Sequence, residues 1–287
     1  MLTLFRLFSH VPLRALHAVG AVLGWCVFLL SPTYRRRFLA HTAQAGYRFG
    51  QVRPAVAHIG RMVAELPRLW LGAPPAVAWD DVACIDEAYA QGQGVVLLTP
   101  HLGCFEVVAQ ALALRYHAQH GPLTVLFRPA RKAWIAPLVA ASRQRPGLAA
   151  VPTTLAGVRH MIRALRQGQA VGLLPDQVPP EGLGLWAPFF GQPAYTMTLA
   201  ARLAQQTGAQ VRLVWGERLP AGRGYLLHAR ALQSPLPAAL PEAVAHLNGE
   251  LEGLIRECPQ QYLWSYGRYK PPRAQPVDSP PSEAESA

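Results

Sequence analysis

The chain has 287 residues, 51% of them hydrophobic, with 27 Lys+Arg against 16 Asp+Glu and a formal net charge of +11. That is enough for one main domain with a substantial core, and the basic excess directs the surface toward anionic partners: nucleic acid, phospholipid headgroups or an acidic carrier protein. Cys26, Cys84, Cys104 and Cys258 show no CxxC spacing, and HExxH, P-loop and GxSxG patterns are absent; this argues against a disulfide framework, a zinc finger, a metalloprotease, a phosphate cradle and a conventional serine hydrolase.

In chain order, ALHAVGAVLGWCVFLL (15–30) is an apolar run broken only by His17, with SPTYRRR directly after it. Sixteen helical residues reach about 24 Å, just under the roughly 30 Å hydrocarbon layer. The arginines after the run and the lack of a cleavage-site pattern predict an uncleaved membrane helix, spanning or lying in the interface, with the following chain in the cytoplasm. A buried core helix is the alternative. Residues 1–34 are read as the anchor, 35–270 as the main domain and 271–287 as a disordered Pro/Ser-rich tail. The tail holds Arg273 against Asp278, Glu283 and Glu285, leaving +13 on the rest.

Val56, Ile59, Val63, Leu66 and Trp70 form a helical stripe over 54–70, with a kink expected at Pro67. Then β-rich and helical runs alternate: VVLLT (95–99) before a helix over 105–119, LTVLF (123–127) before 132–145, AVGLL (170–174) after 155–167, and QVRLVWGE (210–217) after 196–207. Uniformly apolar strands between helices predict an α/β fold, a mostly parallel or mixed central sheet covered on both faces. GYLLHARAL (224–232) should return through PAGRG as an edge hairpin, and a helix over 240–257 closes the domain. In the helix 155–167, Leu155, Val158, Ile162 and Leu165 read as the buried stripe, with Arg159, Arg163 and Arg166 outward.

TPHLGCFE (99–106) sets His101 and Glu106 into this greasy surrounding. His101 falls just past the carboxyl end of a buried strand, where open α/β sheets hold ligands, and Glu106 falls in the first turn of the next helix. On one continuous helix, positions five apart point about 140° away from each other, so the loop made by Pro100 and Gly103 is needed to fold the imidazole back toward the carboxylate. A carboxylate on Nδ1 leaves Nε2 as a base that makes an alcohol nucleophilic toward a carbonyl carbon, and free N–H groups at the helix start can hold the oxyanion. The plainer alternative is a capping histidine and a surface glutamate. Cys104 beside the pair is a rival nucleophile, set against its more usual role as a small packing residue.

HLGCFE resembles the H-x4-D/E signature of the glycerolipid acyltransferase superfamily, and its context resembles the lauroyl/myristoyl acyltransferases of lipid A biosynthesis. The similarity extends through the amino-terminal anchor, VLFRP (125–129), GLLPDQ (172–177), PFFGQPAYT (188–196), RLAQQTGA (202–209) and QYLWSYGRYK (261–270). It implies a glycerol-3-phosphate acyltransferase-like fold and a membrane enzyme that moves a fatty acyl group from acyl carrier protein to a hydroxyl of Kdo-lipid A at the cytoplasmic face of the inner membrane. It also implies His101 as base with Glu106 as its partner, no cofactor, no metal and no nucleic acid. Within that resemblance, Arg128 is read as a phosphate or carboxylate clamp, a second arginine is placed at Arg143 or Arg145, and Asp176 is read as orienting an arginine or a substrate hydroxyl.

GLGLWAPFFG (182–191) reads as a loop whose Trp186, Phe189 and Phe190 form the acyl pocket or a membrane lip, or else pack as core. Trp264, Tyr266 and Tyr269, interleaved with Arg268 and Lys270, read as an interfacial belt or as packing of the carboxyl end. The competing functions are an acyltransferase for another glycolipid or phospholipid using acyl-CoA, a hydrolase using water at the same base, and a non-catalytic protein that binds anionic lipid.

Overall fold

The computed structural model describes residues 2–127 and 145–274. Helices α1 (Leu2–Ser9), α2 (Leu13–Leu30), α3 (Pro32–Gln44), α4 (Phe49–Val52), α5 (Pro54–Ala64) and α6 (Leu66–Leu71) come first. They are followed by β1 (Val77–Trp79), α7 (Ala83–Ala90), β2 (Val95–Leu98), α8 (Phe105–His120), β3 (Leu123–Phe127), β4 (Leu148–Pro152), α9 (Leu155–Arg166) and β5 (Ala170–Leu173). The chain ends with a hairpin, β6 (Gly184–Phe189) and β7 (Gln192–Met197), then α10 (Leu199–Thr207), β8 (Gln210–Arg218), β9 (Tyr225–Ala231) and α11 (Leu240–Glu257).

Seven strands form one sheet in the order β1-β9-β8-β2-β5-β3-β4, parallel except for the β8/β9 pair. The alternation of the strands distributes side chains to two cores. From β2, Val96 and Leu98 join Met161, Leu165, Leu203, Leu251 and Ile255 on one face, while Val95 and Leu97 join Ile85, Val108 and Leu112 on the other. This is the doubly covered sheet that continuous apolar strands require.

Several expectations need correction. The 224–232 hairpin is not the edge, because β1 pairs in parallel outside β9; three residues were too short a strand signal. Residues 182–191 are mostly strand, since β6 pairs residue for residue with β7 around Phe190 and Gly191. In α9 the buried stripe is Gly157, Met161, Ala164 and Leu165, whereas Leu155 is exposed. The stripe is rotated because Gly157 lies against the backbone of β4: a Cβ there would sit 2.0 Å from Pro152 O. Helix 54–70 divides at Glu65 with Pro67 in the first turn of α6, and Val63 faces out, because Val56 and Gly60 instead meet α2. The expected helix over 132–145 lies outside the described residues except at its last position.

Candidate active site

His101 emerges from the carboxyl end of β2 and Asp176 from the carboxyl end of β5, its direct parallel neighbour, so both loops leave the sheet side by side. The His101 loop is held on two sides. His101 O accepts from Leu263 N at 3.1 Å, Gly103 N donates to Gln261 O at 3.0 Å, and Cys104 N donates to Gly216 O at 2.7 Å. Gly103 has φ +58°, and a Cβ there would meet Gly216 O at 2.0 Å. Only glycine lets the chain run this close to β8 in this conformation.

Asp176, buried at 2% exposure, grips His101 twice: Oδ2 accepts from the backbone N at 2.9 Å, and Oδ1 lies 2.8 Å from Nδ1. Burial alone would raise the Asp176 carboxyl, but the neighbouring imidazole, its bonds and Arg268 outweigh it and hold the group below its ordinary range. An ionised carboxylate only accepts, so Nδ1 carries the proton and Nε2 presents its lone pair. That lone pair accepts from Gln177 Nε2 at 3.0 Å. Phe105 lies against the ring at 4.8 Å between centroids. The loop holding Gln177 is itself tied down, since Val178 N donates to the Tyr266 hydroxyl at 3.0 Å.

The orienting carboxylate on Nδ1 is therefore Asp176 and not Glu106. Glu106 stands in the first turn of α8, where Trp70 Nε1 donates to its Oε2 at 3.2 Å. The sequence suggests an arginine or a substrate hydroxyl as the partner of Asp176; the parallel neighbour relation of β2 and β5, which brings it to the histidine, is a property of the sheet and not of local spacing. Gln177 gave no signal beyond its place in GLLPDQ.

Arg145 directs its guanidinium to the end of α6, with Nη2 donating to Leu69 O at 2.5 Å and Gly72 O at 3.3 Å, on either side of Trp70. Arg128 and Arg143 lie outside the described residues. Phe189 and Phe190 are core residues, packed against each other at 4.9 Å, with Phe190 on Trp264 at 5.6 Å; the hairpin pairing turns them inward, so they form no lip, whereas Trp186 is exposed on β6. Of the two readings of the carboxyl end, belt or packing, the structure shows packing for Trp264 and Arg268, while Tyr266 and Tyr269 are half-buried. Trp264 is buried, and Arg268 donates to Tyr195 O at 2.7 Å and to Thr196 Oγ1.

Cys104 is buried beside Glu65, and burial holds its thiol well above the ordinary range. Such a thiol is a poor thiolate donor. A cleft of about 340 Å³, lined by Val77, Trp79, Val107, Ala111 and Leu114 with Arg115 over the Trp79 ring, opens along the flank of α8. Among the described residues no cluster of His, Cys, Asp and Glu side chains has the makings of a metal site.

Residues 4–271 match the model of the bacterial lipid A biosynthesis acyltransferase family. The chain belongs to that family. It is similar to the lipid A biosynthesis palmitoleoyltransferase of Escherichia coli K12, 26% identical over 217 residues that cover 74% of this chain and 69% of the relative. It is equally similar to the lauroyltransferase of the same organism, 26% identical over 218 residues with the same shares, and to a lipid A biosynthesis acyltransferase of Shigella flexneri, 26% identical over 217 residues. The enzyme is thus an acyltransferase of lipid A biosynthesis, and lipid A defines its acceptor class.

Proposed function

We propose that this lipid A acyltransferase moves a fatty acyl group from acyl carrier protein to a hydroxyl of a Kdo-lipid A precursor by direct attack, with His101 as general base. The observation that carries the reading is the His101–Asp176 pair: a carboxylate fixed on Nδ1 leaves a basic Nε2 at the sheet edge. The acceptor hydroxyl displaces the Gln177 amide from Nε2. As its oxygen bonds to the thioester carbonyl carbon, its proton passes to Nε2, and Asp176 stabilises the imidazolium. Collapse of the tetrahedral intermediate breaks the C–S bond, and the departing sulfur takes the proton back from Nε2, giving ester and free thiol.

N–H groups in the first turn of α8 are suited to the oxyanion, since the start of a helix leaves them without intrahelical partners. In this reading Glu106 adds negative charge beside the forming imidazolium. The arginines Arg128 and Arg143 supply anion contacts to the acceptor, while Arg145 positions α6 and through it Trp70. The buried, high-pKa thiol of Cys104 supports a route without an acyl-enzyme.

The basic surface suits an acidic carrier protein and anionic lipid. The apolar helix α2, long and apolar enough to cross a membrane, supports membrane residence, and the arginines that follow it favour a catalytic domain on the cytoplasmic side of the inner membrane. Mass spectrometry of lipid A from cells with and without the gene tests the function: the reading expects one ester-linked chain to be missing without it, and unchanged lipid A contradicts it.

A further inference from the structure

Resting on the membrane reading above, we propose that α2 lies in the plane of one leaflet, as an interfacial helix with both ends on the same side, and does not cross the bilayer. At 18 residues it is about 27 Å long, so a crossing would put its two ends on opposite surfaces. Both ends are fastened to the same domain.

At the amino end, His17 Nε2 donates to Glu65 Oε2 at 2.9 Å, and Glu65 is fully engaged by Arg218 of β8 and by the Tyr225 hydroxyl at 2.9 Å. Helix α1, which precedes α2, lies on α6: Phe5 stacks on Trp70 at 6.2 Å, and Ser9 O accepts from Arg68 at 3.3 Å. Trp70 in turn donates to Glu106 in the first turn of α8. A crossing helix would separate α1 from these partners by the whole hydrocarbon layer. At the carboxyl end, Phe28 is buried against Phe38 at 5.5 Å, and in α3 His41 Nδ1 donates to Trp264 O at 2.8 Å.

Between its ends α2 touches α5 backbone to backbone. A Cβ on Gly24 would meet Val56 O at 2.2 Å and one on Gly60 would meet Gly20 O at 1.9 Å. This contact carries charge, since Arg61 Nε donates to His17 O at 3.3 Å. A polar layer of His17, His58, Arg61 and Glu65 cannot be set at bilayer depth without cost, whereas beneath an interfacial helix it belongs to the protein interior.

Among the described residues nothing packs on the opposite face, which is apolar: Val19, Val22, Leu23, Val27 and Leu30 are exposed along its length. Exposed arginines flank it, Arg14 at one end and Arg36 and Arg37 at the other. An apolar stripe bounded by cations matches an anionic leaflet surface, hydrocarbon below and headgroups around.

Single-cysteine full-length protein, bearing His10→Cys or Arg223→Cys in a background with Cys26→Ser, Cys84→Ser, Cys104→Ala and Cys258→Ala, is expressed in cells and treated with a membrane-impermeant maleimide. Spheroplasts and inverted inner-membrane vesicles are compared. Position 10 precedes α2 and position 223 lies in the β8–β9 turn, so an in-plane helix predicts that both label in inverted vesicles and neither in spheroplasts. Labelling of position 10 only from spheroplasts while position 223 labels only from inverted vesicles would overturn the in-plane helix and leave membrane residence intact. Recovery of both variants in the soluble fraction would overturn membrane residence itself, and this proposal with it. A second measurement covers variants that fail to accumulate: bimane on Val22→Cys, in the same background without the four native cysteines, in phosphatidylethanolamine/phosphatidylglycerol vesicles should be quenched most by lipids brominated near the headgroup. Strongest quenching by lipids brominated at the chain ends contradicts the in-plane placement.

Discussion

Asp176 Oδ1 lies 2.8 Å from Nδ1 of His101, 75 positions earlier in the chain, while Glu106, only five positions from the histidine, receives the indole N–H of Trp70. The two carboxylates therefore have separable tasks. Asp176→Asn removes the acceptor that fixes the tautomer and should lower kcat by roughly 10³–10⁴, the scale seen when the orienting carboxylate of a Ser-His-Asp triad is neutralised. Glu106→Gln keeps the tautomer and should cost less, on the order of 10² for one electrostatic contribution. Steady-state kinetics on both variants check the order; an Asp176→Asn enzyme with near wild-type kcat contradicts the assignment.

Gln177 donates to the lone pair that the acceptor hydroxyl must use. Gln177→Ala should therefore leave kcat within about tenfold of wild type, because the amide holds the place of the substrate and not of the base. A collapse of kcat comparable to that of Asp176→Asn would assign the amide to the reaction itself.

Cys104→Ala should retain transfer within about tenfold, since a buried thiol held above its ordinary pKa is packing material. Trapping of a covalent acyl-protein on the wild type, lost in this variant, would replace direct attack by a thioester route.

The alternation of strands and helices, the sheet covered on both faces and the placement of His101 just past the carboxyl end of a buried strand were legible in the sequence, because continuous apolar runs such as VVLLT and QVRLVWGE fix a covered sheet; the order of the strands was not. What pairs with the histidine was not. H-x4-E is a local pattern, whereas Asp176 reaches Nδ1 through the adjacency of β2 and β5, which no periodicity encodes. For Phe189 and Phe190 the sequence left acyl pocket, lip and core open, because Gly and Pro around them signal a loop; cross-strand pairing with Gln192–Met197 turns them inward. Between belt and packing at Trp264 and Arg268 the sequence did not decide, since Arg268 finds its acceptors on β7. Glu65 in the 54–70 segment gave no sign that it would meet His17 and Arg218 in the interior.

That interior group makes stability predictions. Burial would raise the Glu65 carboxyl, but Arg218 and the bonds from His17 and Arg218 prevail and hold it down at about 2, against an ordinary 4.5. A carboxyl depressed on folding stabilises the protein fully above its unfolded value, and this share is lost as pH falls from about 4.5 toward about 2. Glu65→Gln, which leaves Arg218 buried without its counter-charge, should cost about 3–5 kcal/mol in denaturant unfolding at neutral pH. A cost below about 1 kcal/mol would show that the pair contributes little net stability.

His58 acts earlier on the pH scale. Burial, with Arg218 and Arg61 nearby, lowers it from 6.5 to about 3, so the fold keeps it neutral while the unfolded chain takes up a proton. Stability from this group is present above about 6.5 and declines as pH falls toward about 3. His58→Gln should flatten that limb of a stability-against-pH curve and leave the lower Glu65 limb in place; an unchanged slope between these values contradicts the linkage.

The most direct measurement is acyl transfer from acyl carrier protein to a Kdo-lipid A precursor in membranes containing the wild-type enzyme or His101→Ala, with the product identified by mass. Addition of one ester-linked chain by the wild type and none by the variant, both present in equal amount and folded, is the expected result. Equal product from the two would show that the proton of the acceptor hydroxyl leaves by another path.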